Sequence, residues 1–398
     1  MRRMTARPAN AHQARLLRLL RDAGPSSRAQ LGDQIELSRS KLAVEIDRLL
    51  QTGLVVGDGF AASRGGRRSH NVRLAPELRF LGVDIGATSL DVAVTGPELE
   101  ILGHLTERMD VREGPVAVFE QVLSMAEKLR NAGLAEHFDG AGIGVPGPVR
   151  FPDGVPVAPP IMPGWDGFPV REVLSQELGC PIMVDNDVNL MALGERHAGV
   201  AHSVQDFICV KIGTGIGCGV VADGKVHRGA TGSAGDIGHI QVEADGRQCP
   251  CGNRGCLEAY FGGAALARDA EQAARDGRSV ELASRLEAAG ALTASDVAGA
   301  AAAGDVASLD LIRQGGARTG QVIAALVSFF NPALVVIGGG VTGLGHTLLA
   351  SIRTQVYRQS LPLATGNLPI VLGELGPVAG VTGAARLISD HLFSYTPT

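Results

Sequence analysis

Apolar residues recur at helical spacing through the first fifty positions of the chain, with polar residues filling the positions between them. This spacing predicts three helices: one over residues 12–22, one beginning after Ser26 or Ser27, and one running from Ser38 to just before Gly53. Serine is a favoured N-cap, and glycine readily ends a helix. The apolar positions of the three helices are Leu16, Leu17, Leu19, Leu20, Ala29, Leu31, Ile35, Leu42, Ile46, Leu49 and Leu50.

Two short strands are predicted next, at residues 54–56 and 71–74, on either side of a basic, glycine-rich segment. Three helices followed by a hairpin with a basic tip are typical of a winged helix-turn-helix that binds double-stranded DNA. The first turn of the third helix would face the major groove, and the hairpin tip would face phosphates or a minor groove. The candidate DNA-binding residues are Arg39, Ser40, Lys41, Arg64, Arg67 and Arg68. The alternative is a helical protein-interaction domain with solvated arginines.

From residue 80 onward the pattern changes to short apolar runs, most of them ending in glycine turns. The runs at 80–84, 89–95, 207–212 and 333–337 predict buried strands of an α/β fold. Glycine-rich turns follow at 84–88, 213–219 and 338–340. Because open α/β sheets bind ligands beyond the carboxyl ends of their strands, these turns predict a nucleotide cleft. Each turn taken alone is also compatible with a purely structural hairpin.

Charge divides the chain in two. Residues 1–75, called the head below, contain 14 basic and 6 acidic residues, whereas the remaining residues, called the body, contain 22 basic and 35 acidic ones. This asymmetry predicts a polyanionic partner for the head alone. The chain of 398 residues is long enough for two or three domains. It contains neither an apolar run of membrane-spanning length nor a signal-peptide core, so we expect a cytoplasmic protein without a membrane partner.

Acidic residues stand at two predicted strand ends. In the Asp84-to-Thr88 turn, Gly86 permits close approach of phosphate, Thr88 offers a hydroxyl, and Asp84 could hold Mg²⁺ through water. The run at 184–189 contains Asp187, which suits a general base that takes a proton from a sugar hydroxyl. The alternative for Asp187 is a solvated acid that caps a helix.

Three of the six cysteines lie in one glycine-rich loop. Cys249, Cys251 and Cys256 follow His239 with the spacing H-x9-C-x-C-x4-C. Three thiolates and one imidazole form a closed tetrahedral Zn²⁺ site of the structural kind. Three free thiols are the alternative. Cys180, Cys209 and Cys218 lie in apolar contexts and are expected in the core.

Taken in order, these motifs resemble the ROK family of repressors, open reading frames and sugar kinases. The resemblance rests on DIGAT (84–88), VDND (184–187), GTGIGCG (213–219), GDIGH (235–239), CPCGNRGCLE (249–258) and GGG (338–340). It implies an actin/hexokinase-like fold with two ribonuclease-H-like lobes behind the winged helix-turn-helix. The expected division is 1–75 for the head, 76–80 for a linker, 81–200 for the first lobe, completed by a C-terminal helix at 380–392, and 201–379 for the second lobe.

The resemblance also implies roles for individual residues. Sugar contacts would come from Asn186, Asp187, Asp236, His239 and Glu258, with Asp187 as the catalytic base if the protein is active. Nucleotide contacts would come from Asp84, Gly86, Thr88, Gly213, Thr214, Gly215, Gly217, Gly339 and Gly340. His239 would contact the sugar through one ring nitrogen and zinc through the other.

Two positions depart from the kinase pattern of the family. Asp236 stands where kinases usually have Glu, and Ile161 stands where they often have Asn. Loss of a positioned hydrogen bond typically costs about 1 kcal/mol. The departures therefore indicate an altered ligand or weakened catalysis. A DNA-binding head joined to an acidic body with a modified sugar pocket favours a sugar-responsive repressor with a sugar or sugar derivative as effector. The resemblance and the symmetry of helix-turn-helix binding imply a homodimer or dimer of dimers. An ATP- and Mg²⁺-dependent sugar kinase that also binds DNA is the alternative, and a DNA-binding protein with an inert body is a third possibility.

Overall fold

The head is built from three helices and a three-stranded sheet. In the computed structural model, which describes residues 7–60 and 70–396, the caps predicted at Ser27 and Ser38 are present, and Asn10 caps the first helix. The sheet order is β1-β3-β2. The predicted winged helix-turn-helix is confirmed, and the predicted wing residues Arg64, Arg67 and Arg68 lie outside the described residues. The elements are α1 (Ala11–Ala23), β1 (Ser26–Ser27), α2 (Arg28–Gln34), α3 (Arg39–Thr52), β2 (Val55–Phe60) and β3 (His70–Leu74).

The first lobe of the body is formed around a five-stranded sheet of order β10-β7-β4-β5-β6. Its central strand, β4, pairs antiparallel with β5 and parallel with β7. The strands are β4 (Phe80–Ile85), β5 (Ser89–Thr95), β6 (Ile101–Arg108), β7 (Gly140–Val145) and β10 (Ile182–Asn186), with a small hairpin of β8 (Val149–Arg150) and β9 (Val155–Pro156). The helices are α4 (Pro115–Asn131), α5 (Val170–Leu178) and α6 (Asp187–Ala198).

The second lobe repeats this topology, with a sheet of order β13-β12-β11-β14-β15. Its central strand, β11, pairs antiparallel with β12 and parallel with β14, as β4 does with β5 and β7 in the first lobe. The strands are β11 (Phe207–Ile212), β12 (Ile216–Ala222), β13 (Lys225–Val226), β14 (Leu334–Gly338) and β15 (Ile370–Leu372). The helices are α7 (Gly263–Arg275), α8 (Val280–Ala289), α9 (Ala294–Ala302), α10 (Val306–Phe330), α11 (Gly345–Gln359) and α12 (Pro362–Thr365), and α13 (Ala379–Leu392) follows the second lobe in the chain. The two-lobed fold predicted from the sequence is therefore confirmed.

Helix α13 returns from the second lobe and packs on β4, β7 and α6 of the first. The approach is close because glycines face the backbone of neighbouring elements. A Cβ on Gly142 would collide with the Ala384 carbonyl oxygen, and one on Gly383 with the Leu190 carbonyl oxygen. Any larger side chain at these positions would separate α13 from the sheet or from α6.

The head shares a hydrophobic core with this end of the body. Phe80 at the start of β4 packs edge-on against Phe393, with ring centroids 6.2 Å apart. Phe80 and Leu78 are both buried. The segment predicted as a linker at 76–80 thus ends inside β4 and contributes apolar side chains to the core that joins head and body.

Short 3-10 helices complete the body, and of the helices in the described ranges none has the length and hydropathy needed to cross a membrane. The 3-10 segments span Val111–Glu113, Ile237–His239, Leu257–Ala259, Gly340–Leu344 and Gly376–Val378.

Candidate functional site

The ends of β4 and β11 meet the first turn of α6, and the space they border is called the cleft below. Each of these two strands leads into a glycine turn: Gly86 N–H donates to Ser89 O over 2.8 Å, and Gly213 N–H donates to Gly215 O over 2.9 Å. Gly339, with φ +91°, lies against the Ile212 carbonyl. This places the third turn, with Gly340, beside the second, as expected where parallel strands end at one edge of a sheet.

Asp187, Lys211 and Asp84 form a cluster of charged groups in the cleft. Lys211 Nζ donates to Asp187 Oδ2 over 2.8 Å and lies 3.7 Å from Asp84 Oδ2. The three side chains are largely buried, with 11% of Asp187, 19% of Lys211 and 13% of Asp84 exposed. Since Asp84 belongs to the first lobe and Lys211 to the second, the cluster joins the lobes.

Burial and charge act against each other in this cluster. Burial raises the pKa of Asp84 to about 6, the carboxylates of Asp187 and Asp91 add to the rise, and Lys211 opposes it. Burial opposes the charge of Lys211, but the carboxylates of Asp187 and Asp84 outweigh it, so the pKa of Lys211 is raised. The lysine is therefore an ammonium ion at physiological pH.

A second ion pair joins the lobes beside this cluster. Arg228, just after β13, donates to Asp185 Oδ2 through Nε at 2.9 Å and Nη2 at 2.7 Å. Asn189 donates to the other oxygen of Asp185 over 3.0 Å. The Arg228 guanidinium also lies 3.8 Å from the centre of the Phe151 ring. Asp185 thus holds a second-lobe arginine against the first lobe.

The predicted sugar-contacting residues form two groups, and strand β12 contacts the surroundings of both. Asn186 caps α6 through Oδ1 and donates through Nδ2 to Gly147 O over 2.9 Å, so its side chain is engaged within the protein. Glu258 Oε2 accepts from Ile216 N–H over 2.9 Å. The next residue of β12, Gly217, faces Val188 of α6. Strand β12 therefore links the Asn186 and Asp187 group to the Glu258 group.

His239 and Asp236 lie on the same side as Glu258. The point that a Cβ on Gly238 would occupy is 3.2 Å from Glu258 Oε2, so the His239 segment adjoins Glu258. His239 Nε2 is 3.8 Å from Asp236 Oδ1, and its Nδ1 is 3.5 Å from Cys249 Sγ. One ring nitrogen thus faces the cysteine loop and the other faces a predicted sugar contact.

His239, Cys249, Cys251 and Cys256 form a cluster that could hold a metal ion. Their potential ligand atoms all lie within 4.8 Å of one another, and Cys251 Sγ is 3.8 Å from Cys256 Sγ. Tetrahedral coordination with metal–sulfur bonds of about 2.3 Å separates ligand atoms by about 3.8 Å, so the spacing fits. Burial raises the pKa of the Cys249 thiol to about 12. A bound dication would reverse that shift, because coordination removes the thiol proton.

The predicted major-groove residues are exposed. Arg39, Ser40 and Lys41 occupy the first turn of α3, while Leu42, Ile46 and Leu49 face the core of the head. Among the described residues, neither Arg39 nor Lys41 forms an ion pair. The two cations therefore remain available to an external anion.

Sequence reasoning missed Lys211, Asp185 and Arg228. A signal for Lys211 was present, because a lone lysine interrupts the otherwise apolar strand β11. Charged residues are rarely buried without a partner. The partners, however, come from β4 and α6, distant in sequence, and no local pattern identifies them.

Comparisons with known proteins agree with this geometry. A profile described as the ROK family matches residues 80–391. A glucokinase of Halalkalibacterium halodurans is 32% identical over 315 residues, 78% of this chain and 95% of that protein. A xylose repressor of Caldicellulosiruptor bescii is 27% identical over 383 residues, 96% of this chain and 96% of that protein. The crystal structure of a ROK family transcriptional regulator, a homologue of the Escherichia coli MLC protein, matches with a TM-score of 0.80 at 26% identity over 96% of each chain.

The two kinds of relative differ in how much of the chain they cover. The glucokinase match spans 78% of the chain, about the extent of residues 80–391 that the ROK profile matches. The matches to the xylose repressor and to the regulator structure both span 96%. The matches to the xylose repressor and to the regulator structure therefore extend into the head.

Proposed function

The chain belongs to the ROK family, and we propose that it is a sugar-responsive repressor that binds operator DNA through its head and a sugar or sugar derivative in its cleft. The observation that carries the proposal is the combination of a winged helix-turn-helix with a kinase-like cleft in one chain. Regulator relatives share both parts. An ATP-dependent sugar kinase that also binds DNA is the alternative.

Helix α6 connects the cleft to the head. It begins in the cleft at Asp187 and ends near His197, whose Nδ1 lies 3.0 Å from Arg386 Nη1 on α13. Arg386 Nη1 donates in turn to Asp22 Oδ1 of α1 over 2.9 Å. A ligand that shifts the start of α6 can therefore act on the first helix of the head through two side-chain contacts.

A buried arginine fastens the head at the same place. The Arg21 side chain is fully buried and donates to Asp390 over 2.8 Å and to Ser389 Oγ over 3.0 Å. Burial opposes the charge of Asp390, but Arg21 and Arg386 outweigh it and lower its pKa. Because this contact holds α1 on α13, movement of α13 would carry the head with it.

The coupling needs only a moderate energy. A sugar that binds the released state 100-fold more tightly than the DNA-bound state weakens operator affinity by up to about 2.7 kcal/mol. A sugar with equal affinity for both states would change nothing, however tightly it bound. The effector must therefore contact groups that move with α6 or with the second lobe.

We propose that the metal of the cysteine cluster is Zn²⁺. His239, Cys249, Cys251 and Cys256 would supply all four ligands, leaving no open position, which is typical of a structural site. When bound, the ion would hold the loop in place and neutralise its thiolates. Since His239 Nε2 faces Asp236, the ion would also fix the orientation of a predicted sugar contact.

The proposed partners follow from the head. A winged helix-turn-helix that reads a palindromic operator acts as a homodimer or a dimer of dimers, because each half-site takes one head. Such a regulator works in the cytoplasm, where its DNA lies. The cationic first turn of α3 would bind the major groove of each half-site.

The proposal is tested by DNA binding measured with fluorescence anisotropy, using the region upstream of the protein's own gene. Titrations are repeated with free sugars, phosphosugars and oligosaccharides, each with and without MgATP. We expect one sugar class to change operator affinity at least 10-fold without ATP. A change that requires ATP together with the sugar would favour the kinase alternative, and saturating sugar binding that leaves operator affinity unchanged would contradict the repressor.

We predict that Arg39→Ala with Lys41→Ala weakens operator binding and reduces the slope of log affinity against log salt by about 2 for each bound head, and so by about 4 for a dimer on two half-sites, because each lost phosphate contact removes about one unit. Anisotropy at several salt concentrations measures both quantities. The matched control is Arg313→Ala, which removes an exposed cation of the body paired with Asp310. Equal effects of the double variant and the control would exclude a DNA-binding role for this turn.

A further inference from the structure

We propose that Lys211 is a built-in cation that occupies the place of a metal ion in the cleft, so that the body binds its effector without magnesium nucleotide and transfers no phosphate. The inference rests on the proposed role of the cleft as a sugar site. It specifies the chemistry of that site, since the effector would be a sugar or sugar derivative that binds without a nucleotide or divalent cation.

The position of Lys211 follows from the repeated topology. Strands β4 and β11 are the central strands of equivalent sheets, and both run from Phe through a charged residue and Ile to Gly. Asp84 holds the charged position in β4, and Lys211 holds it in β11. Two equivalent positions thus carry opposite charges, and their side chains meet across the cleft at 3.7 Å.

Glycines on both sides leave room for the lysine. Lys211 lies opposite Gly217 in β12 and Gly338 in β14. A Cβ on Gly217 would come within 2.8 Å of Val188, and one on Gly338 within 2.9 Å of Met191, so α6 covers this face of the sheet. Paired neighbours in a sheet share a face. Lys211 therefore runs along α6 to its first residue, Asp187.

The predicted Mg²⁺ ligand does not fit a metal ion here. One oxygen of Asp84, Oδ1, lies 3.0 Å from the point that a Cβ on Gly144 would occupy, and the other faces Gly380 and Lys211. An ammonium ion already stands between the two carboxylates, and it would repel a dication that approached them. Asp84 Oδ1 is buried without a hydrogen-bond partner, but a metal ion bound to it would lie beside this ammonium ion and would be repelled unless Lys211 moved away.

The predicted catalytic base is also engaged. Asp187 Oδ2 accepts from Lys211 at 2.8 Å, and Asp187 Oδ1 accepts from the N–H of Val188 at 2.9 Å. To take a proton from a sugar hydroxyl, the carboxylate would have to give up a charge-assisted hydrogen bond in a buried site. A hydroxyl can still donate a hydrogen bond to the remaining lone pairs, so the arrangement suits sugar binding better than proton transfer.

The test uses the full-length, zinc-loaded protein and Mn²⁺ as the probe for the metal position. Mn²⁺ and MgATP affinities are measured by calorimetry for wild type, Lys211→Thr and Lys211→Met. Threonine removes both the charge and the bulk, whereas methionine removes the charge and keeps the bulk. We expect Lys211→Thr to bind Mn²⁺ at least 10-fold more tightly than wild type, and Lys211→Met to gain less. Lys128→Thr, which removes a lysine paired with Glu107 far from the cluster, is the control.

Wild type provides a second measurement if the variants do not fold. The formation of ADP from MgATP by wild type is measured with and without the sugar that binds in the titrations described above. We expect the sugar to cause no additional ADP formation. Wild-type Mn²⁺ affinity equal to that of Lys211→Thr, or sugar-dependent ADP release by wild type, would overturn the inference. Failure of every sugar to bind would instead refute the proposed function, while the Mn²⁺ comparison would still decide the role of Lys211.

Discussion

The two lobes of the body share one sheet topology but use it differently. In the first lobe the connection from β6 to β7 contains the single long helix α4. The equivalent connection in the second lobe, from β13 to β14, contains the cysteine cluster and helices α7 to α10. The first lobe instead receives α13 and, through it, the head. The shared sheets thus place the glycine turns, whereas the added segments give the second lobe a cysteine cluster and the first lobe its contact with the head.

The cleft shows the same contrast at the level of single residues. Asp84 and Lys211 stand at equivalent places, yet one is an acid and the other a base. Their pairing makes the cleft depend on both lobes, as does the pair of Arg228 with Asp185. If the two lobes differ as described, perturbations should separate them, and three predictions follow in order of expected effect.

The largest effect is expected from Cys256→Ala, which removes one ligand of the cluster in the second lobe. We expect loss of bound zinc and a destabilisation of about 4–5 kcal/mol, because loss of a metal is among the few mechanisms that reach this size. Metal content by mass spectrometry, urea denaturation and hydrogen exchange measure the outcome. Exchange should rise in the loop at 240–256 and in α7 before it rises in β4 or β7.

The matched control is Cys209→Ser, which alters a buried cysteine of β11 outside the cluster. It should lower stability while keeping the metal. Retention of zinc by Cys256→Ala, or an equal rise of exchange in both lobes, would show that the second lobe does not depend on the cluster.

An intermediate effect is expected from Arg386→Met, which acts on the connection of the first lobe to the head. Arg386 contacts Asp22, Asp390 and His197, and its side chain is 15% exposed. Because the carboxylate partners are partly solvated, we expect a loss of about 1–2 kcal/mol. The effector should still bind with unchanged affinity, measured by calorimetry, but should shift operator affinity much less.

Arg353→Met supplies the comparison in the second lobe. Arg353 on α11 donates to the Ile370 carbonyl over 2.6 and 2.9 Å, so its loss should also reduce stability. It should leave the response of DNA binding to the effector intact. A similar loss of response in both variants would mean that the signal does not pass through α13 in particular.

The smallest effect concerns pH and His197 at the end of α6. Burial, helped by Arg386 and Arg21, lowers the pKa of His197 from 6.5 to about 4. Between these values the unfolded chain binds more protons than the folded one, so the contribution of His197 to stability falls as pH falls from 6.5 towards 4. Asp84 acts oppositely, since its pKa is raised to about 6 and the folded state keeps its proton longer.

We therefore expect His197→Asn to reduce the loss of stability between pH 7 and pH 6 by about 0.7 kcal/mol. Urea denaturation at the two pH values measures the difference. His346→Asn, at an exposed position of the second lobe, is the control for the substitution itself. An unchanged pH slope in His197→Asn would contradict the assignment.

Local patterns were enough to predict most elements of the fold. The third helix was expected from Ser38 to the position before Gly53 and is observed at Arg39–Thr52 with that cap. The strands at 89–95 and 207–212 were predicted with their observed bounds. Strand β1 was missed because Ser26 and Ser27 have no apolar pattern and pair with β3 only in the folded head.

The candidate site could be predicted less completely. Each of three signals lies within a short stretch of sequence: the glycine turns, the acids at strand ends and the cysteine spacing. Asp84, Asp187 and the four potential metal ligands could therefore be found from the sequence. The partner of Asp187 was not found, because Lys211 is 24 positions away and lies on another lobe. The sugar contact of Asn186 stays a prediction, and the sequence did not indicate that its side chain also caps α6 and bonds to Gly147.

The sequence by itself determined the helix and strand periods, the caps, the glycine turns, the basic head and the H-x9-C-x-C-x4-C spacing, because each depends on residues near one another along the chain. Only the tertiary structure decided which charges meet. The pairs Lys211 with Asp187, Arg228 with Asp185 and Arg21 with Asp390 join distant segments. Buried charges are tolerated only beside partners, and the fold supplies those partners by bringing two sheets and the C-terminal helix together.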